Sequence, residues 1–339
     1  MPITSETVRT KKTWLGIAAA SALALSLAAC SGGNAAAPAD GAPAPAGDGK
    51  PETTELLVGI TPVADQASVF IAIDQGFFED EGLEVTAQPA QGGAAAVPAM
   101  IAGDMQAAFA TYPSFLLAQS GGVGINIVAE GVRGNEESNG VYVKADSGIN
   151  SIEDLEGKKV AVNTLKNTGE LTIKVLMEEA GMDVSKVEFL ELPFPDMVPT
   201  LQSGGVDAVW LVEPFQTAAN EAGAKKLFAN FSGPTAGVPL SGLGMTAEFV
   251  KANPNTTAAF IRALEKANAL LAENPDAARE IVPTYSKTTP ELAAKIKLPE
   301  WVAGSASAEN LEVWNDIMVG QGAIPAPVDL DEMVYVPGK

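Results

Sequence analysis

The stretch at 98–113, PAMIAGDMQAAFATYP, matches the stretch at 199–214, PTLQSGGVDAVWLVEP, position for position. Each version predicts a helix, a glycine, a buried strand and a residue before proline. Shorter matches keep the same order along the chain: VGIT at 58–61 with VAVN at 160–163, and EGLEV at 81–85 with AGMDV at 180–184. Three matches in one order indicate that the chain contains an internal duplication.

Each copy predicts the order strand, helix, strand, helix, strand, which builds a small parallel sheet with helices on its faces. Helices are expected over 67–81 and 168–180, because apolar residues recur there at helical spacing. In open α/β sheets, ligands bind beyond the carboxyl ends of the strands. Two such units therefore predict an α/β fold of two lobes that close by a hinge around a ligand cleft.

The chain begins with the pattern of a secretory signal. Arg9, Lys11 and Lys12 precede an apolar run from Trp14 that ends in Leu-Ala-Ala, and the only cysteine, Cys30, follows. This arrangement resembles the lipobox of bacterial lipoproteins, which implies cleavage before Cys30 and a diacylglycerol on its thiol. The alternative is an ordinary signal peptide with a cysteine there by chance. The apolar run is shorter than the roughly 20 residues of a transmembrane helix.

Composition then divides the chain into segments. The region after Cys30 is alanine, proline and glycine with almost no bulky apolar side chain, so it cannot bury enough surface to fold. We predict a lipoprotein signal peptide over 1–29, the lipidated Cys30 and a disordered tether over 30–54, lobe I over 55–147 together with 238–339, and lobe II over 148–237. The chain then crosses between the lobes twice, near 145–150 and near 235–240.

Charge and residue usage exclude several classes of function. The formal net charge of −21 makes nucleic acid and anionic membrane surfaces poor partners. The absence of histidine removes imidazole acid–base chemistry and most zinc sites. No Gly-x-x-x-x-Gly-Lys-Ser/Thr loop is present, which argues against an ATPase subunit. No cofactor and no metal are expected.

Several short segments together resemble one family, the substrate-binding proteins of ABC importers for nitrate, sulfonates, taurine and thiamine pyrimidine precursors. The segments are GFFEDEGLEV at 76–85, AGD at 102–104, SIEDLEGKKV at 151–160, and VDA at 206–208 through EPF at 213–215. The resemblance covers about residues 55–337. It implies a two-lobed periplasmic-binding-protein fold of the second type, no catalysis, and delivery of a ligand to a membrane permease with a separate ATPase.

The duplication selects candidate ligand-binding residues, because equivalent loops of the two copies should face one cleft. They lie where strands end and helices begin: Thr61, Asp65, Gln66, Gly92, Gly93, Thr111, Tyr112, Asn163, Thr164, Lys166, Thr168, Asp196 and Glu213. Hydroxyls, amides and free N–H groups at a helix start suit an acceptor or anionic group, but plain helix capping explains many of them equally well. Trp210 and Phe215 are assigned to the core.

Two candidates suggest specific contacts. Tyr112 is placed to stack on a planar ligand, or else packs at the edge of a lobe. Glu213 is placed to accept hydrogen bonds from an amino or amide group, or else caps a turn before Pro214. Because Lys166 is the only cation among the candidates, we expect a small organic ligand with at least one hydrogen-bond donor.

The sequence therefore predicts an extracytoplasmic, lipid-anchored solute receptor on the outer face of the cell membrane. It is expected to act as a monomer, to bind a sulfonate-like or pyrimidine-precursor-like small molecule between two lobes, and to pass it to an ABC permease and its ATPase. The alternatives are a ligand-sensing domain of the same fold that signals to a membrane partner, and an enzyme. Fold alone does not separate these three.

Overall fold

The computed structural model describes residues 49–137, 139–302 and 306–336, and they contain two β-sheets. The first sheet has the strand order β11-β4-β10-β3-β1-β2. Its strands are β1 (Glu55–Ile60), β2 (Glu84–Pro89), β3 (Ala107–Thr111), β4 (Ile125–Arg133), β10 (Pro239–Thr246) and β11 (Glu300–Trp301). Strand β1 pairs parallel with β2 and β3, whereas β10 runs antiparallel to β3 and β4.

The second sheet repeats this topology with the order β7-β6-β8-β5-β9. Its strands are β5 (Asn139–Lys144), β6 (Lys159–Val162), β7 (Glu188–Glu191), β8 (Ala208–Val212) and β9 (Ala224–Phe228). The register repeats as well, since Val58 pairs with Ala107 in the first sheet and Val160 pairs with Ala208 in the second. The duplication seen in the sequence is therefore a duplication of sheet topology, and the predicted α/β class is confirmed.

One antiparallel strand of each sheet comes from beyond its own copy. Strand β5 follows the first copy along the chain but lies between β8 and β9, and β10 follows the second copy but lies between β3 and β4. The first crossing between sheets therefore lies between Arg133 and Asn139. The expected position near 145–150, which left 141–143 in lobe I, was wrong, because a short apolar strand carries no local mark of the sheet that it joins. The return lies between Phe228 and Pro239.

Helices cover both sheets. They are α1 (Ala67–Asp74), α2 (Phe77–Asp80), α3 (Gly93–Ile101), α4 (Tyr112–Ser120), α5 (Thr168–Glu179), α6 (Phe194–Ser203), α7 (Phe215–Glu221), α8 (Ala247–Ala252), α9 (Pro254–Glu273), α10 (Asp276–Tyr285), α11 (Pro290–Ala293), α12 (Ala308–Gly320) and α13 (Leu330–Met333). The helix expected over 67–81 is split, because Gly76 adopts a left-handed φ of 70° between α1 and α2. Helix α9 packs Phe260 and Leu264 into the core of the first sheet.

The residues before β1 are tied to the start of α9. The Glu52 carboxylate accepts hydrogen bonds from the backbone N–H groups of Asn255 and Thr256, at 3.2 and 2.9 Å. Thr53 donates from its backbone N–H to the Thr256 hydroxyl and from its own hydroxyl to Asn253 Oδ1. Since no side chain of α9 itself caps its first turn, Glu52 supplies that cap from a distant part of the chain.

Two further expectations concern the N-terminal signal with its lipid anchor, and helices that could cross a membrane. The signal peptide and the lipidated Cys30 lie outside the described residues, so both stay predictions. Among the described residues, no helix combines the length and the apolar character needed to cross a membrane.

Candidate functional site

A small cavity lies between the carboxyl ends of the strands of both sheets. Its volume is about 40 Å³, which holds only a few water molecules. The first sheet and its loops contribute Thr61, Val63, Asp65, Gly92, Gly93, Phe109, Ala110, Thr111 and Leu240, and the second contributes Asn163, Asn167, Phe194, Trp210 and Val212. We call it the inner cavity. Equivalent loops of the two copies face each other here, as the duplication predicted.

Six of the thirteen predicted residues line the inner cavity: Thr61, Asp65, Gly92, Gly93, Thr111 and Asn163. Gly92 and Gly93 are required because neighbouring side chains lie too close to their backbone for a Cβ atom. Gly92 has φ of 136°, and a Cβ there would lie 3.1 Å from the Asn163 side chain. A Cβ on Gly93 would lie 2.6 Å from Ala110 and from the Ser114 hydroxyl. A larger residue at position 92 would press against the opposite side of the cavity, whereas one at position 93 would clash with β3 and α4 of its own side.

Asp65 brings a carboxylate to the inner cavity. It is 6% exposed, and the only hydrogen bond that the described residues offer its carboxylate comes from its own backbone N–H. Burial, together with the smaller effect of the nearby Glu213 charge, raises the pKa of Asp65 to about 7. The described lining includes no lysine or arginine to neutralise this carboxylate. A ligand that donates hydrogen bonds or carries positive charge would supply the missing partner.

The ends of two equivalent strands lie at the cavity. Phe109 and Thr111 at the end of β3 line it, and so do their repeat equivalents Trp210 and Val212 at the end of β8. Trp210 was assigned to the core from the sequence. It is buried and packs in the second core, but it also lines the cavity, and its indole Nε1 has no hydrogen-bond partner among the described residues. The repeat alignment of Trp210 with Phe109 was the sequence signal for this role.

Asn167, which the sequence analysis did not select, joins the two sides of the cavity. Its Oδ1 accepts hydrogen bonds from the Thr111 hydroxyl at 2.5 Å and from the Thr168 N–H at 2.7 Å. Its Nδ2 donates to the Ser114 hydroxyl at 2.7 Å. This side chain therefore caps α5 of the second sheet and bonds to β3 and α4 of the first sheet. These hydrogen bonds join the two strand-end walls directly in this arrangement.

Glu213 does not line the inner cavity. It is 1% exposed, and its carboxylate accepts hydrogen bonds from the Thr217 N–H, the Thr217 hydroxyl and the Lys297 N–H. Its backbone carbonyl accepts from the Ala64 N–H at 3.0 Å. Burial raises the pKa of Glu213, and the hydrogen bonds oppose that rise. Glu213 thus connects the end of β8 to two segments on the side of the first sheet.

Tyr112 also points away from the inner cavity. Its ring is fully buried, and its hydroxyl lies 3.0 Å from where a Cβ of Gly242 would stand. The hydroxyl has no hydrogen-bond partner among the described residues. Glu130, which is buried and bonded to Arg133, lies close enough to raise the pKa of Tyr112 by charge repulsion, in addition to the larger effect of burial. The structure therefore shows Tyr112 as a packed side chain.

The remaining predicted residues lie around the cavity without lining it. Lys166 is exposed, has φ of 54° and donates its N–H to Glu170, and Asp196 is exposed in the first turn of α6. Thr164, Thr168 and Gln66 are buried. The Thr168 hydroxyl and both polar atoms of the Gln66 amide have no hydrogen-bond partner in the described part of the chain.

The family model described as NMT1/THI5 like matches residues 64–278. The chain belongs to the NMT1/THI5-like family. The match contains the second copy of the repeat, the first copy beyond its first strand, and every predicted ligand-binding residue except Thr61.

Comparison with individual proteins places this NMT1/THI5-like chain among binding proteins. The formylaminopyrimidine-binding protein of Halalkalibacterium halodurans is 26% identical over 239 residues, 69% of this chain and 70% of that protein. The periplasmic aliphatic sulphonate binding protein of Escherichia coli has a TM-score of 0.68 at 17% identity, with coverage of 84% of this chain and 98% of that one. The fold is accordingly the type II periplasmic-binding-protein fold.

An enzyme has a similar fold. The structure of a desulfurization enzyme matches at a TM-score of 0.63 and 15% identity, covering 83% of this chain and 96% of the enzyme. At such identities the likeness concerns the fold alone. The chemistry of the inner cavity therefore has to carry the functional argument.

Proposed function

We propose that this chain is the solute-binding component of an ABC importer and that it binds a small organic molecule in the inner cavity. The observation that carries the proposal is the buried carboxylate of Asp65, which lines a cavity between two sheets and lacks a cationic partner there. Membership of a family with binding proteins among its relatives supports a receptor role over catalysis. The ligand would contact both sheets and so favour the arrangement in which they approach.

The ligand would carry a hydrogen-bond donor or a positive charge next to an acceptor. Asp65 would accept from the donor, and the free indole N–H of Trp210 would donate to the acceptor. Amino-substituted nitrogen heterocycles have donor and acceptor atoms side by side in one plane. The formylaminopyrimidine-binding relative supports this class. Nitrate and simple sulfonates offer acceptors only and would meet the Asp65 carboxylate unfavourably.

Calorimetric titration of the full chain with formylaminopyrimidine, taurine, an alkanesulfonate and nitrate tests this proposal. We expect binding of the pyrimidine and a loss of at least about tenfold in affinity in Asp65→Asn, because one charge-assisted hydrogen bond is weakened. Asp104→Asn, at an exposed aspartate far from the cavity lining, is the matched control and should bind as the wild type does.

Three outcomes would contradict parts of the proposal. Equal affinity in Asp65→Asn would remove Asp65 from the site. Binding of an anion but not of the pyrimidine would overturn the donor requirement and keep the receptor role. Recovery of a chemically changed pyrimidine after incubation would replace the receptor with an enzyme.

We also propose that the protein works outside the cytoplasm, anchored through a lipid on Cys30, as a monomer whose two lobes each carry one sheet. The basic and apolar segments before Cys30 support the anchor. Mass spectrometry of the mature N-terminal peptide tests it, and an unmodified cysteine or cleavage at another position would contradict it.

A further inference from the structure

Two larger cavities follow the inner cavity toward the surface. A middle cavity of about 120 Å³ is lined by Thr61, Pro62, Val63, Ala90, Gln91, Pro193, Phe194, Pro195 and Phe215. An outer cavity of about 360 Å³ is lined by Pro62, Pro89, Pro195, Pro214, Phe215, Ala218, Tyr285, Ser286, Lys287, Thr288 and Leu292. Sequence reasoning selected none of the prolines in these two lists.

The three cavities form one cleft. The inner and middle cavities share Thr61, Val63 and Phe194, and the middle and outer cavities share Pro62, Pro195 and Phe215. The loop at 89–93 shows the same progression, because Gly92 and Gly93 line the inner cavity, Ala90 and Gln91 the middle one, and Pro89 the outer one. Successive residues of one loop therefore line successive parts of a continuous path.

An aromatic wall runs along this path. Trp210 lines the inner cavity, Phe194 lines the inner and middle cavities, and Phe215 lines the middle and outer cavities. The ring centroid of Phe194 lies 5.6 Å from that of Trp210 and 5.5 Å from that of Phe215. The two phenylalanine rings are stacked, with an angle of 13° between their planes. Three successive rings of this kind present a continuous apolar surface.

The chemistry changes along the cleft. The carboxylate of Asp65 lies at the inner end, and the lining of the middle cavity has no charged side chain. In the outer cavity the only charged residue of the lining is Lys287, which is exposed. The inner cavity alone has room for a few waters, so a ligand anchored at Asp65 must continue into the middle cavity.

We infer that the cleft binds an amphipathic ligand, with a donor head in the inner cavity and an apolar substituent along the wall of Trp210, Phe194 and Phe215. This inference rests on the proposed function and deepens it, because it assigns the part of the ligand that Asp65 does not touch. The substituent would lie between the aromatic wall and the prolines at 62, 89 and 195.

A homologous series of probes on the full chain tests the inference. The probes share the 4-amino-2-methylpyrimidine head with an aminomethyl group at C5, and carry formyl, butanoyl or hexanoyl on the aminomethyl nitrogen. Burial of each added methylene should tighten binding about three- to fourfold. Phe215→Ala should remove most of that gain and change the affinity for the formyl compound by less than about threefold.

Two further variants guard against loss of folding and non-specific effects. Pro195→Asp places a charge at an exposed position that faces the aromatic wall and should also abolish the gain, because the substituent would then lie against a carboxylate. Leu117→Ala removes an apolar side chain that is 47% exposed and outside all three cavities, and should leave the whole series unchanged.

The outcomes separate the two proposals. If every probe binds with the same affinity, or if Phe215→Ala weakens the formyl and hexanoyl compounds equally, the apolar subsite is overturned and the receptor stands. If no probe binds, the donor-head function itself fails, and the subsite fails with it.

Discussion

The third strands of the two copies, β3 and β8, end with equivalent residues that both line the inner cavity, but the residues that follow them have different surroundings. Thr111 and Val212 occupy the same place at the ends of β3 and β8, and both line the inner cavity. The next residues, Tyr112 and Glu213, both point away from it. Tyr112 is packed with an unbonded hydroxyl, whereas Glu213 is a buried carboxylate that accepts three hydrogen bonds from Thr217 and Lys297.

This difference shows what the duplication conserves and what it leaves free. Phe109 and Thr111 line the cavity as their repeat equivalents Trp210 and Val212 do, so the lining of one copy predicts the lining of the other. At the next position, away from the cavity, the two copies pack differently. The first copy fills space with an aromatic ring, and the second makes polar contacts to the segments at 64 and 297.

The largest loss of stability should come from truncating the buried tyrosine of the first copy. Tyr112→Ala should lower the free energy of unfolding by about 4 kcal/mol, because a fully buried ring leaves a cavity. Urea unfolding followed by circular dichroism measures this change. Leu117→Ala, in the same helix but exposed, should cost less than about 1 kcal/mol. A small loss in Tyr112→Ala would mean that the ring faces open space, as a ligand-stacking residue would.

Removal of the buried carboxylate in the second copy comes next. Glu213→Ala should cost about 3 kcal/mol, because the N–H groups of Thr217 and Lys297 lose their acceptor. Glu221→Ala is the matched control, since Glu221 is exposed and pairs with Lys295 across the surface, where an ion pair contributes less than about 1 kcal/mol. Equal losses in the two variants would show that the Glu213 contacts do not hold the segments together.

Asp65, whose pKa is affected by the nearby charge of Glu213 at the end of β8, predicts a dependence of stability on pH. Its pKa of about 7 in the folded state lies above the ordinary value of 3.8, so the folded state binds more protons between these values and its stability falls as pH rises. From pH 5 to pH 8, the stability of the wild type relative to Asp65→Asn should fall by about 2 to 3 kcal/mol.

Urea unfolding of both proteins at four pH values measures that difference. Glu213→Gln should lower the pKa of Asp65, because the charge of Glu213 contributes to raising it. The pH range over which stability falls should then be narrower. A difference between wild type and Asp65→Asn that stays constant from pH 5 to pH 8 would show that Asp65 titrates as an ordinary exposed aspartate does.

The smallest change in stability should follow removal of the Tyr112 hydroxyl. Tyr112→Phe should change the free energy of unfolding by less than about 1 kcal/mol, and toward greater stability, because the lost hydroxyl has no partner among the described residues. Thermal unfolding detects this change. A loss above about 2 kcal/mol would reveal a hydrogen bond at that hydroxyl.

Much of the architecture could be predicted because the repeat fixes the order of strands and helices. The placement of β5 could not, since pairing partners far apart in sequence decide it. Loop residues such as Thr61 and Asn163 could be placed at the cavity because they follow equivalent strands, and their contact with a ligand stays a prediction. Tyr112 and Glu213 lie outside the cavity lining, because the repeat identifies equivalent positions without showing which of them face the cavity.

The bonds between the residues before β1 and the start of α9 have a mechanical consequence. Glu52 and Thr53 share six hydrogen bonds with residues 253–256, so force applied to the chain just ahead of β1 also acts on the start of α9. Strand β1 is also flanked on both sides, by β2 and β3, and is not at an edge. A pull on this end of the described chain is therefore shared between the first turn of a long helix and an interior strand of the first sheet.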